Sequence, residues 1–435
     1  MKRILHYLIF ITFLTSSFDI FFNLNLGGFN VRTCYMASLL FAFIYFLSYS
    51  DASKFKFIGF VPFFIWLLFP ISFVAHTQFL NRNIGYILWM IFNIMVCYSI
   101  YKFSRVVDYQ VLIRYYLLSF FIIALVGITQ FLLSTVGIHV FITMWWRMNV
   151  LPRVNGLSYE PSYFATYLLI GFVFMFYAWK KKIYFFTQRF QLIIMIAIAL
   201  AILLSTSRMG ILFMVSILVF DFISMLARSL VSLKISRVNL IVSASMILFV
   251  VAIVVNILAD SKLRHRYLTG TGLESTSSHS RDTRISQMTN VWKIFVVSPV
   301  YGYSFGGIAS GIATYYGVNP KDQKKAKEFE GLNIFLEVLA ASGIFGFMFF
   351  AYWMIFFFRS IGKLPGLLRM NGLKKEADIL ICLRYALIAE LLILIFSQNI
   401  LRPYLWILIG VTSAMYFRFK EMIFNPEANS NHINS

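Results

Sequence analysis

The sequence predicts an all-α polytopic membrane protein, and three observations carry that expectation. Of the 435 residues, 60% are hydrophobic and only 13% charged, whereas a soluble domain carries roughly a quarter charged residues. Apolar runs recur at lengths able to cross about 30 Å of hydrocarbon. Lys and Arg density alternates from one connecting segment to the next, the mark of helices threaded through a bilayer. The formal net charge of +21 is therefore a topology signal, and no nucleic-acid partner is expected.

About twelve spans follow in order, at residues 4–22, 34–50, 57–75, 84–101, 111–135, 161–179, 190–206, 209–227, 239–259, 332–358, 379–397 and 403–417. Twenty Lys and Arg, from Lys2 to Lys420, fall on the connections of one side, against Arg32, Arg82, Arg147, Arg153, Arg208 and Arg402 on the short ones of the other. That bias places both termini in the cytoplasm. Lys2-Arg3 and the apolar run after it imitate a signal peptide, but no small-residue cleavage site precedes Asp19, so a retained first helix is expected. Residues 1–424 then form one transmembrane helical domain, and the polar residues 425–435 a disordered tail.

Spans nine and ten should flank a large extracytoplasmic loop, residues 260–331, too long for its ten basic residues to count in topology. A polar segment of this length pinned between apolar helices is uncommon unless it binds something. Its Lys321, Lys324, Lys325 and Lys327 read as a solvated helix face. Cys34, Cys97 and Cys382 lie in apolar runs without paired spacing and read as packing residues. The chain has no phosphate-loop or dinucleotide motif, no H-E-x-x-H and no D-x-D. No cofactor or metal is expected, and a substrate would come from the membrane or its outer face.

Four polar stations stand out against this apolar scaffold. Ser205-Thr206-Ser207-Arg208-Met209-Gly210 sets a charge in the turn between two spans, on the side of the long loop. Such an arginine can snorkel to head groups. Held at the membrane surface, it also offers a five-donor fork suited to a diphosphate. Arg153 and Glu160 lie just before span six, where Pro161 suits a first helical turn. Glu160 either complements the helix dipole or, beside arginines at a bundle mouth, acts as base toward a sugar hydroxyl. Asn333 and Glu337 are spaced i, i+4 and should share one helix face as the chain re-enters the membrane. An acid there is costly unless it faces water or the bundle interior. Arg281 and Arg284 open the fourth stretch, which runs into Pro299-Val300-Tyr301-Gly302. Arg384 and Glu390 are too poorly spaced to pair along a helix and read as structural.

In order, RVNGLSYEPSYFA (153–165), LLSTSRMG (203–210), SRDTRISQMTNVWKIFVVSPVYGYSFGG (280–307) and LNIFLEVLAASGIFGF (332–347) resemble the O-antigen polymerase and ligase superfamily. These are bacterial inner-membrane glycosyltransferases of the C-type fold that use undecaprenyl-diphosphate-linked glycans. The resemblance implies a repeat-unit polymerase for O-antigen or a related surface polysaccharide, acting on an undecaprenyl-diphosphate-linked oligosaccharide in the bilayer, with a membrane protein that regulates chain length as a further partner. It selects Arg284 rather than Arg281 as catalytic, because the family's arginine stands some fifteen residues before a Pro-x-x-Gly-x-x-x-Gly turn and Pro299 follows Arg284 by fifteen. It also places Arg208 near the lipid diphosphate. Glu160 and Arg284 are then the catalytic pair, with Arg208, Arg281, Arg153, Asn333 and Glu337 binding diphosphate or glycan. Ligases of the superfamily resemble one another in a His-Asn pair where this chain reads Leu332-Asn333. A ligase is the alternative, as is a twelve-span transporter or flippase, though a transporter should show related halves and this chain has no evident repeat.

Overall fold

A computed structural model describes residues 2–19, 21–26, 29–49, 54–74, 80–147, 151–232, 248, 279–319, 333–396 and 400–424. Among these, the α-helices in order are α1 (Lys2–Leu14), α2 (Thr33–Ser48), α3 (Phe60–Ser72), α4 (Leu80–Val106), α5 (Tyr109–Thr135), α6 (Pro161–Lys180) and α7 (Gln188–Leu204). They continue as α8 (Arg208–Ser232), α9 (His279–Val297), α10 (Ser304–Tyr315), α11 (Ile334–Met370), α12 (Lys374–Ile393) and α13 (Pro403–Phe424). Two antiparallel ribbons, β1 (Leu24–Leu26) with β2 (Phe29–Val31) and β3 (Met144–Arg147) with β4 (Leu151–Arg153), are small departures from an all-α chain.

The helical, multi-pass character holds. Among the described residues, Leu80–Val106, Tyr109–Thr135, Pro161–Lys180, Arg208–Ala227 and Ile334–Met370 are long and apolar enough to cross a membrane, and α2, α3 and α7 are shorter apolar helices. The expected span at 239–259, apart from residue 248, the basic run at 321–327 and the tail at 425–435 lie outside the described residues.

Helix α6 is the hub. Its residues are apolar almost all round, which suits a helix enclosed on every side, and nearly all are buried. It packs against α5, α7, α8 and α12, while α13 packs on α4 and α3 on α11. Ring contacts such as Trp66 with Trp353 (6.0 Å) and Trp353 with Trp406 (6.2 Å) knit α3, α11 and α13 together.

Two expectations change. The stretch 260–331 is not simply a polar loop: its described part forms α9 and α10, and α10 is buried from Ser304 to Ala313 against α4 and α11. The reason is visible in its small residues, which let a helix without bulk settle between two others. Helix α11 also runs past the expected span end at 358 to Met370, and it is broken at Gly343 (φ 65°, ψ −177°).

That break receives the turn between α9 and α10. The Tyr303 amide donates to the Ala340 carbonyl (2.8 Å) and the Ile344 amide to the Pro299 carbonyl (2.8 Å). Gly302, at φ 66°, brings its Cα so close that a Cβ would stand 2.7 Å from the Ala341 oxygen and the Gly343 nitrogen. Gly306 rests likewise on the backbone of Arg82 and Asn83, where a Cβ would be 2.6 Å from the Arg82 oxygen. The Pro-x-x-Gly-x-x-x-Gly spacing is thus a record of backbone-on-backbone docking.

At the opposite end of the bundle, ion pairs bind the helices to one another. Lys180 meets Asp221 of α8 at 2.5 Å, and Asp378 of α12 accepts from Lys181 (2.9 Å) and Arg369 (2.7 Å). Glu421 of α13 bridges Lys56 (2.9 Å) and Arg105. Burial would raise the Glu421 carboxyl, but the two cations hold it below the usual carboxylate range.

Candidate functional site

Alternating helix directions bring the starts of α6, α8, α11 and α13 and the end of α12 to one end of the bundle, and most of the sequence-predicted site residues lie there. Local chemistry explains the turn carrying Arg208. Ser205 closes α7, with its Oγ accepting from the Ser207 amide (3.2 Å), and Ser207 caps α8 by accepting from the Gly210 amide (3.3 Å). Gly210 lets α8 press on α6, where a Cβ would lie 2.6 Å from that of Ala165. Arg208 opens α8 with its side chain exposed.

The first two sequence stations are joined. Arg153, on β4, donates from Nε to the Thr206 hydroxyl (3.0 Å), and the Val154 amide reaches the Leu204 carbonyl (3.4 Å). Arg153 therefore braces the Arg208 turn. The chain from there to α6 is clamped by Gln130 of α5, which donates to the Gly156 carbonyl (2.7 Å) and accepts from the Gly156 amide (2.9 Å). Nothing in the sequence marked Gln130, since a single glutamine in an apolar run carries no motif.

Glu160 precedes α6 and makes no capping bond to that helix. Its carboxylate accepts instead from the Ser162 hydroxyl (2.9 Å), half-buried at the mouth. Asn333 differs from expectation: rather than projecting from the helix beside Glu337, it is the N-cap of α11, accepting from the amides of Phe335 (2.9 Å) and Leu336 (3.1 Å). Its carbonyl oxygen is engaged by the fold, which leaves the amide nitrogen for other contacts. Glu337 is half-buried and accepts from the Ile400 amide (3.4 Å). Arg281 and Arg284 have their backbone in α9, upstream of the docked turn, and their side chains lie outside the described residues, as does Leu332. Tyr303, after that turn, has its phenol pushed up by burial.

The sequence missed a buried charge cluster at this same end. Asp19 accepts from Arg402 and lies 3.9 Å from Arg32, and these three side chains are at most 10% exposed. An acid closing the first span and arginines just before α2 and α13 were readable signals, but nothing in the linear chain shows that positions 19, 32 and 402 meet.

Deeper in, Glu390 of α12 is wholly buried and, among the described residues, neither of its carboxyl oxygens nor the Tyr116 and Tyr404 hydroxyls within electrostatic reach of it has a hydrogen-bond partner. A buried acid lacking a partner costs stability. Glu390→Met is expected to raise the thermal midpoint of detergent-purified protein, by the equivalent of about 1–3 kcal/mol. A lowered midpoint would show that the carboxyl is satisfied by something the protein binds.

Residues 192–351 match the family model described as O-antigen ligase. The match starts in α7 and ends within α11, and takes in Arg208, Arg281, Arg284, Asn333 and Glu337 but not Arg153 or Glu160. A search of curated proteins finds no match. Over this matched core, with its clustered polar stations on a bundle of apolar helices, the chain is similar to the O-antigen ligase family, which supports the O-antigen polymerase and ligase superfamily.

Proposed function

We propose that this protein is a repeat-unit polymerase of the outer face of the bacterial inner membrane, with both termini cytoplasmic. It moves a growing glycan from undecaprenyl diphosphate onto a hydroxyl of a second lipid-linked repeat unit. The anomeric carbon–oxygen bond to the diphosphate breaks, the acceptor oxygen takes its place, and the acceptor proton passes to a base. Charge builds on the departing diphosphate, so fixed cations lower the barrier as preorganised stabilisers. Arg208 of α8 and Arg284 of α9 fill that role, with Arg281 three residues before Arg284. Glu160 is the base, held at the mouth of the bundle by Ser162 and near the turn that Arg153 braces. Glu337 and the Asn333 amide line the acceptor side. Gathering two lipid-borne reactants in one groove removes much of the entropy of meeting.

The observation that carries polymerase over ligase is Leu332-Asn333, in the place where ligases of the superfamily resemble one another in His-Asn. A leucine offers no nitrogen to accept a proton, so it cannot assist an acceptor hydroxyl as imidazole does. Complementation tests the choice. In cells lacking their cognate polymerase, the protein is expected to turn single repeat units into a ladder. In cells lacking their own ligase, it is expected to leave lipid A-core bare. Core-linked glycan in the second strain would make it a ligase, and an unchanged ladder on deleting the gene from its own host would count against both.

A further inference from the structure

Beyond Ser162, the chain on either side of Glu160 is held from outside its own helix. Asp19, just beyond α1, accepts at Oδ2 from the amide of Tyr159, the residue immediately before Glu160 (3.2 Å). At Oδ1 it accepts from Arg402, whose guanidinium lies 3.7 Å from the centre of the Tyr163 ring, three residues after Glu160. One carboxylate therefore grips the chain on both sides of the base, directly on one side and through a stacked arginine on the other. The Ser158 hydroxyl adds a bond to the Ser17 carbonyl (2.9 Å). The turn bearing Arg402 is itself tied to Glu337 through the Ile400 amide (3.4 Å) and to α4 through Asn93, which donates to the Leu401 carbonyl (3.2 Å).

We propose that Asp19 and Arg402 are positioning residues, which set Glu160 of α6 against the acceptor side marked by Glu337. This rests on the polymerase reading and on Glu160 as its base. A bare structural staple could have tied α1 to α13 anywhere along their shared end. This one closes around a single residue and links it to the other carboxylate of the mouth. An ion pair this buried holds its geometry tightly, because a charge left without its partner is strongly disfavoured. A displacement of the order of 1 Å at a catalytic group can cost about 100-fold in rate.

The test is a double-mutant cycle on purified protein in proteoliposomes, supplied with lipid-linked repeat units extracted from the producing cells after deletion of this gene. Asp19→Asn keeps an acceptor for the Tyr159 amide but loses the charge that holds Arg402. Expected is a fall of about 10- to 100-fold in kcat with KM changed by less than about threefold. In a Glu160→Gln background the same substitution should cost less than about twofold, since a misplaced base that is already absent costs nothing. Arg402→Lys retains the ion pair and loses the planar face over Tyr163. It is expected to show a smaller loss with the same non-additivity, and decides the matter if Asp19→Asn does not fold. Additive losses, a change in KM alone, or wild-type kcat in Asp19→Asn would overturn this inference while leaving the polymerase reading intact. Absence of transfer by the wild-type protein would overturn both.

Discussion

Arg208→Ala and Arg284→Ala are each expected to abolish visible chain extension without reducing the amount of membrane-inserted protein. Removing one preorganised stabiliser of developing negative charge typically costs on the order of 10²–10³ in rate. A ladder built by many successive transfers amplifies such a loss, since long products need every step. Lysine keeps the charge but loses the planar two-point fork, so Arg→Lys should recover activity only in part. The two positions differ in what supports them. Arg208 opens a helix whose preceding turn is capped by Ser207 and braced by Arg153, two bonds that its replacement leaves in place. Immunoblots of membrane fractions alongside glycan gels separate lost chemistry from lost protein. A normal ladder in well-expressed Arg284→Ala would remove that residue from the mechanism.

The second large effect is structural. Gly302→Ala is expected to deplete folded protein severely, and Gly343→Ala likewise. Both glycines hold positive φ, 66° and 65°, which costs an L-residue roughly 1–2 kcal/mol. The steric cost is larger, because the obstruction is main chain. A Cβ at Gly302 would meet three backbone atoms at 2.7–2.8 Å, and one at Gly343 would run into the Val300 carbonyl. Neither wall can rotate away as a side chain would. Gly366→Ala is the control, for it sits in α11 with nothing within 4 Å of the added carbon. Size-exclusion profiles and thermal melts in detergent read the difference, and a monodisperse Gly302→Ala protein at wild-type yield would mean that the α9–α10 turn docks differently.

Much of the scaffold was legible because a bilayer imposes a simple rule. Apolar length and basic side-bias anticipated helices near every described span, since each must satisfy its own backbone in hydrocarbon. Buried α10 was missed for the same reason inverted: its small residues, Gly306-Gly307-Ile308-Ala309-Ser310-Gly311, are neither long nor apolar enough to announce a span, and their packing depends on partners far away in sequence. At the site, Arg153, Glu160 and Arg208 were readable as polar residues in apolar company, and the meeting of Arg153 with the Arg208 turn through Thr206 is a tertiary fact. Asn333 was assigned to a helix face when it is the cap that starts the helix, a one-residue difference that changes its role. Asp19 stayed invisible because its meaning lies in residues 32, 159 and 402, which only the fold assembles.

Lys180 with Asp221, Asp378 between Lys181 and Arg369, and Glu421 between Lys56 and Arg105 lie toward the end of the bundle away from the mouth, and α13 alone carries the chain about 27 Å from Pro403 to Glu421 at 1.5 Å per residue. Six helices are pinned to one another at that end, while Asp19 and Arg402 fasten the other, so the bundle is tied by charge at both faces and resists spreading as a whole.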